Sequence, residues 1–120
     1  MSDVELQPLI AAVVAALDAS DAEFAAMPFF VRPMVRAGFE RRTGHSFAEW
    51  RRLLGRLAAH NDDEQRALLP TLAKLEAHFL GAPERARRGM GGGAGLAAIE
   101  ARSRARAAAV RALIDRLGGR

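Results

Sequence analysis

Apolar residues return every three or four positions along most of the chain, and this spacing constrains the fold more than any other feature. Leu6, Ile10 and Leu17 follow it near the start, and Leu53 and Leu57 follow it in the middle. A helix gathers residues at this spacing on one face. No stretch alternates polar and apolar residues as a half-buried strand would. The pattern therefore predicts an all-α fold, a bundle of five to six helices.

Start and stop signals divide this pattern into separate helices. Ser20 with Glu23, and Ser46 with Glu49, have the spacing of capping boxes and predict two helix starts. Gly44 and Gly81 follow apolar periods and predict two helix ends. The predicted helices cover approximately residues 3–18, 20–27, 29–42, 47–60, 62–80 and 96–117.

One stretch is rich in glycine and separates the last helix from the rest. Five of the seven residues from Gly89 to Gly95 are glycine. Glycine amides can cradle a phosphate, but this run has neither the lysine nor the hydroxyl residue of a nucleotide P-loop, so a flexible linker is favoured. We predict a helical bundle core over 1–81, a linker over 82–95 and a basic C-terminal helix over 96–120. That helix docks on the bundle, swaps between copies or hangs free.

Charged residues are grouped in blocks of alternating sign. Residues 1–31 hold five acids and no base, and residues 32–56 hold seven bases and two acids. Residues 57–84 hold two bases and five acids, and residues 85–120 hold nine bases and two acids. Blocks of opposite sign attract each other within one fold or between copies. The net charge of +4 is therefore a weaker argument for nucleic acid than it looks.

Residues that carry chemistry are few. The chain has no cysteine, which excludes thiolate catalysis and thiolate metal ligation. Its histidines, His45, His60 and His78, fall at predicted turns or helix ends, and no two are four residues apart as in a helical metal site. No catalytic motif is recognisable, so we predict a protein that is not an enzyme. These residues indicate no metal site and no cofactor, and cofactor-binding residues stay unknown.

The sequence also suggests in which cellular compartment the protein is found. The apolar run from Leu9 to Leu17 is too short to span a bilayer, and no basic residue precedes Arg32 as a secretory signal would require. Together with the missing cysteine, this favours a cytoplasmic protein without a transmembrane segment.

The segment 27–54 interleaves aromatic residues with arginines. We predict that its aromatic side chains, Phe29, Phe30, Phe39, Phe47 and Trp50, face the core and that its arginines face outward. The outward arginines, with two from the last helix, are candidates to contact a partner or nucleic acid. These candidates are Arg32, Arg36, Arg41, Arg42, Arg51, Arg52, Arg102 and Arg106.

Two short resemblances fall in the same region. Residues 38–52, GFERRTGHSFAEWRR, locally resemble the last part of the DNA-binding domain of AraC-type regulators, a part that mostly follows the recognition helix of that family. Residues 22–36, AEFAAMPFFVRPMVR, resemble the small C-terminal helical module of the light-independent protochlorophyllide reductase B subunit. The second similarity spans about residues 21–55. It implies a shared helical module that covers an apolar cofactor or docks on a partner, without the reductase activity.

Three functions follow from these patterns as hypotheses. The first is a non-catalytic helical module for protein–protein interaction or regulation, which self-associates or docks on a larger complex. The second is nucleic-acid binding through the arginines of the third and fourth predicted helices and of the last helix. The third is an auxiliary role in binding a tetrapyrrole or another apolar cofactor, which rests on the resemblance alone.

Overall fold

A computed structural model describes residues 3–90 and 95–118, and all the regular secondary structure in these ranges is helical. The predicted all-α class is confirmed. The helices are α1 (Asp3–Ala25), α2 (Arg32–Thr43), α3 (Phe47–Leu57), α4 (Asp62–Ala67), α5 (Leu69–Leu80), α6 (Ala82–Met90) and α7 (Leu96–Leu117).

The first two predicted helices are joined in α1. Ser20 and Glu23 have capping-box spacing, but they lie inside this 23-residue helix and Ser20 is buried. The predicted helix start at Ser20 is therefore wrong. Alanines surround the serine and no glycine or proline interrupts the chain there, so the backbone has no reason to leave the helix.

The connection between α2 and α3 follows the predicted signals. Gly44 has a positive φ of 87° and its amide donates to Glu40 O at 2.7 Å, which ends α2. Ser46 and Glu49 then form the predicted capping box, which opens α3. The buried Thr43 hydroxyl donates to the Phe39 carbonyl and accepts from Trp50 Nε1 at 2.9 Å. These contacts fix α3 against the end of α2.

The region from 62 to 90 differs from its predicted boundaries in two places. The predicted helix 62–80 is divided at Leu68 into α4 and α5, with Pro70 in the first turn of α5. A proline is accepted there because the amide it lacks has no partner within the helix. Residues 82–90, predicted as linker, form α6. The rest of the predicted linker includes residues 91–94, which lie outside the described residues.

The basic helix α7 packs within the same chain, along α5 and α1. Its buried face consists of Ser103, Ala107, Val110, Leu113 and Leu117. All of these residues except Ser103 join the hydrophobic core, to which α1, α2, α3 and α5 also contribute. The core side chains with the lowest exposure and largest volume are Trp50, Phe39, Phe79, Leu17, Leu57, Leu72, Leu75 and Leu113.

Candidate interaction surface

The turn between α1 and α2 exposes two phenylalanines that were predicted to be buried. Phe29 is 78% exposed and Phe30 is 72% exposed, so the prediction that they face the core is wrong. The helix α1 ends at Ala25, and the next residues form turns in which the Val31 amide donates to Pro28 O at 2.9 Å. Helical periodicity therefore does not extend back from α2 to these side chains.

Phe29, Phe30 and Met34 together form what we call the α2 apolar patch. Met34 is 67% exposed, and the two phenylalanine rings meet edge to face with centroids 5.7 Å apart. Ala37 and Arg41 continue the exposed face one and two turns along α2. Large apolar side chains that are exposed singly are ordinary, but adjacent ones indicate an interaction site.

Arginines of α2 and α3 converge on carboxylates of α1. Arg36 and Arg51 both donate to Asp21, and Arg51 also donates to Asp18 Oδ1 at 2.8 Å. Partial burial alone would raise the pKa of Asp21, but the hydrogen bonds from Arg51 and Arg36 outweigh burial and lower that pKa. Two of the candidate arginines thus hold the end of α1 against α2 and α3.

The other two paired candidates link α7 to the same end of α1. Arg106 donates two hydrogen bonds to the Glu23 carboxylate, at 3.0 and 2.6 Å, and Arg102 Nε lies 3.4 Å from Glu23 Oε2. The hydrogen bond from Arg106 lowers the pKa of Glu23 below its usual range. A bidentate pair of this kind fixes both position and orientation. These arginines therefore have a structural role in docking α7.

The alternating charge blocks meet inside one chain. Besides the contacts at Asp21 and Glu23, Arg116 of α7 donates to Glu5 of α1, and Arg111 of α7 pairs with Glu76 of α5. Four of the five acids in residues 1–31 are engaged in this way. Attraction between blocks is thus satisfied without a second copy.

The remaining candidates have three different environments. Arg32 borders the α2 apolar patch, and its Nε donates to Met27 O at 2.8 Å. Arg41 and Arg52 are exposed and form no ion pair within residues 3–90 and 95–118. Arg42 is turned inward and half-buried, against the prediction that it faces outward. The eight candidates therefore do not form one surface.

Arg42 belongs to a cluster with His78 and Arg85 that the sequence analysis does not predict. Its Nε donates to His78 Nδ1 at 3.1 Å, and Nη2 of Arg85 lies 3.3 Å from the same nitrogen. His78 is 4% exposed, and the ring of Phe39 contacts it edge to face at 4.9 Å. Burial first, then Arg85 and Arg42, lower the pKa of His78 to about 3. The imidazole is therefore neutral at physiological pH and serves as an acceptor.

A signal for this cluster was present in the sequence. His78 lies three residues after Leu75, on the apolar stripe of α5, so its position already indicated a buried side chain. The prediction placed it at a helix end, where it does lie, and made no statement about its burial. What the sequence could not indicate is that α2 and α6 each bring an arginine to it.

The other surface features point to no single ligand. A groove of about 310 Å³ between α6 and α7 is lined by both acids and bases, among them Glu84, Arg87, Glu100 and Arg104.

No helix in the described part of the chain is long and apolar enough to cross a membrane. No protein-family profile matches the chain, and no curated protein or solved structure is significantly similar to it.

Proposed function

We propose that this protein is a non-catalytic helical interaction module that docks on a partner protein through the α2 apolar patch. The observation that carries the proposal is the exposure of Phe29 and Phe30, whose rings touch, and of Met34 in the first turn of α2, at 78%, 72% and 67%. Aromatic residues and methionine are enriched in the centres of protein interfaces. Covering one phenylalanine contributes about 1.5–3 kcal/mol, so three such groups supply a useful share of a binding energy.

The patch lies at the start of a positively charged helix, which suggests the chemistry of the partner. Helix α2 contains four arginines and one acid, and Arg32 and Arg41 are exposed on it. An apolar groove bordered by carboxylates would match both features. We therefore commit to an acidic partner protein as the occupant.

A second copy of the chain matches the patch less well. Four of the five acids in residues 1–31 already pair with arginines of their own chain, so a second copy would have to offer other carboxylates, such as those of Asp62 and Asp63 in α4. The net charge of +4 also makes two copies repel each other. For these reasons a different, acidic protein is favoured over self-association.

The test is site-specific cross-linking followed by reconstitution. A photo-reactive phenylalanine analogue is placed at position 30, and at position 80 as the control, because Leu80 is 56% exposed and lies outside the patch. A protein captured from position 30 but not from position 80 is then purified. Its affinity is measured by calorimetry for the wild type, Phe30→Ser and Leu80→Ser.

The proposal predicts that Phe30→Ser weakens the reconstituted complex by about tenfold or more, since a phenylalanine at the centre of an interface contributes about 2 kcal/mol. Leu80→Ser should leave the affinity within about twofold. Equal capture from the two positions, or equal affinity of the two variants, would overturn the proposal. So would a dimer in sedimentation velocity that Phe30→Ser dissolves, because the occupant would then be a second copy.

Nucleic-acid binding is the second candidate function, and variants of the same chain can test it. It predicts binding of a DNA duplex or single strand that weakens steeply with salt and that Arg41→Gln and Arg52→Gln reduce. Phe30→Ser should leave such binding unchanged. A result of this kind, without a captured partner, would replace the interaction module by a nucleic-acid binder.

A further inference from the structure

Two arginines from different helices meet at one buried imidazole, without a carboxylate. Arg42 of α2 donates to His78 Nδ1 at 3.1 Å, and Arg85 of α6 reaches within 3.3 Å of that nitrogen. Nη2 of Arg85 also donates to the His78 carbonyl oxygen at 2.6 Å. Within residues 3–90 and 95–118, neither arginine forms an ion pair with an acid.

Most of the other arginines in the described residues pair with acids. Nine other arginines lie within 4.0 Å of a carboxylate oxygen. Arginines that lack an acid, such as Arg41 and Arg52, are exposed and therefore hydrated. Arg42 and Arg85 are both half-buried, so water compensates their charges less well.

Burial and nearby positive charges lower the pKa values of both arginines. Burial first, and then the charge of Arg42, lower the pKa of Arg85 to about 10. Burial, and then the charge of Arg41, lower the pKa of Arg42 as well. His78 is neutral and cannot offset either charge. An anion placed between the two guanidinium groups would relieve this repulsion.

Two glycines leave room for the arginine side chains against the helix backbone. Gly38 precedes Arg42 by one helical turn, and a Cβ at Gly38 would lie 2.9 Å from Arg42 Nη1. Gly81 precedes Arg85 by the same spacing, and a Cβ there would lie 2.8 Å from Arg85 Nη1. Each guanidinium group therefore lies directly against bare backbone. The site is built into α2 and into the α5–α6 junction.

Both arginines keep N–H groups that no acceptor in the described residues uses. Arg42 Nη1 and Nη2 donate to no acceptor in the described residues. Because both side chains approach the same His78 nitrogen, Arg42 Nε and Arg85 Nη2 are at most 6.4 Å apart, the sum of their distances to it. The two guanidinium groups are therefore close enough for one tetrahedral anion to accept hydrogen bonds from unused N–H groups of both.

We infer that Arg42 and Arg85 form a binding site for the phosphate group, either as inorganic phosphate or as a phosphomonoester. The planar guanidinium forks suit tetrahedral oxyanions with several acceptor oxygens. His78 acts as a positioning residue that holds both forks. The site is separate from the α2 apolar patch, and its existence does not depend on the proposed docking function.

The test is a titration of the 120-residue chain, at pH 7.5 and constant ionic strength, followed by NMR of the arginine Nε–H groups. Inorganic phosphate and phenyl phosphate are the two titrants. The variants are Arg42→Gln and Arg85→Gln. Arg41→Gln and Arg52→Gln are matched controls, because each removes one positive charge from an exposed arginine on α2 or α3. Arg85→Lys retains the charge and replaces Arg85→Gln if that variant does not fold.

We expect saturable shifts of the Arg42 and Arg85 Nε–H signals with at least one titrant. Arg42→Gln and Arg85→Gln should weaken binding by about tenfold or more, because each removes charge-assisted hydrogen bonds. Arg41→Gln and Arg52→Gln should leave it within about twofold. The tighter titrant identifies whether the natural ligand is free phosphate or a phosphorylated molecule. Shifts that do not saturate with either titrant, or equal weakening in the controls, would overturn the inference.

Discussion

Two groups of aromatic side chains lie within 22 residues of each other and have opposite environments. Phe39, Phe47 and Trp50 are at most 5% exposed, and the rings of Phe39 and Phe47 stack with centroids 3.9 Å apart. Phe29 and Phe30 are more than 70% exposed and touch each other edge to face. The residue type is the same, so composition cannot explain the difference.

The difference lies in where each group sits relative to a helix start. Phe39 is in the second half of α2 and Phe47 is the first residue of α3, where helix packing directs both toward the core. Phe29 and Phe30 lie in the turn before α2, where the chain changes direction. Periodicity predicts burial only within a helix, and a turn between helices can direct apolar side chains into solvent.

The largest expected effect separates the two groups by stability. Phe39→Ala should lower the free energy of unfolding by about 3–5 kcal/mol, because it leaves a cavity where Phe39 stacks on Phe47. Phe29→Ala, the matched control, should change it by no more than about 0.5 kcal/mol. Urea denaturation followed by circular dichroism measures both. Equal losses would contradict the distinction between a packed and an exposed group.

The second expected effect is a pH dependence of stability that arises in the buried core, next to Phe39. His78 contacts Phe39, and its pKa is lowered from 6.5 to about 3 in the folded protein. Below pH 6.5 the unfolded chain binds a proton that the folded chain does not, so stability is fully present above that pH and falls as the pH drops. Between pH 7 and pH 5 we expect a loss of about 2 kcal/mol from this residue.

The pH effect is measured by urea denaturation at a series of pH values, with His78→Gln as the test variant. Arg42 and Arg85 face the imidazole, and glutamine can still accept a hydrogen bond from them. The variant should lose most of the slope between pH 7 and pH 5, whatever its stability at pH 7. Phe30→Ser should retain the wild-type slope. An unchanged slope in His78→Gln would show that this histidine is not held neutral.

Much of the fold could be predicted because it depends on local signals. The stop at Gly44, the capping box at Ser46 and the all-α class follow from spacing and residue type alone. Predictions that are wrong concern Ser20, which lies within an uninterrupted helix, and Phe29 and Phe30, which lie in a turn. Ser20 has the side chain of a helix cap, but α1 packs along α7 as one long helix and buries that serine. The sequence of 20–23 contains no information about α7.

For the candidate site, the sequence predicts which residue type it contains but not which of these residues come together. Arginines were expected to be outside, and Arg41 and Arg52 are exposed. Which arginines pair with acids depends on contacts over long sequence separations, such as Arg106 with Glu23, 83 residues away. The inward turn of Arg42 depends on Gly38 and on His78 of another helix. Such contacts follow from the assembled fold, which spacing along one helix does not determine.

The smallest expected effect concerns the exposed group itself. Phe30 is 72% exposed and its ring contact is with Phe29, which is also exposed, so Phe30→Ser removes little buried area. The free energy of unfolding should change by no more than about 0.5 kcal/mol. Urea denaturation measures the change, and amide NMR spectra should differ only near the turn. A loss of several kcal/mol would mean that the turn packs on the bundle in solution, and the two aromatic groups would then belong to one core. If Phe30→Ser leaves the free energy of unfolding unchanged, folding does not require the exposed Phe30 side chain. This is the result expected for a residue of a docking surface.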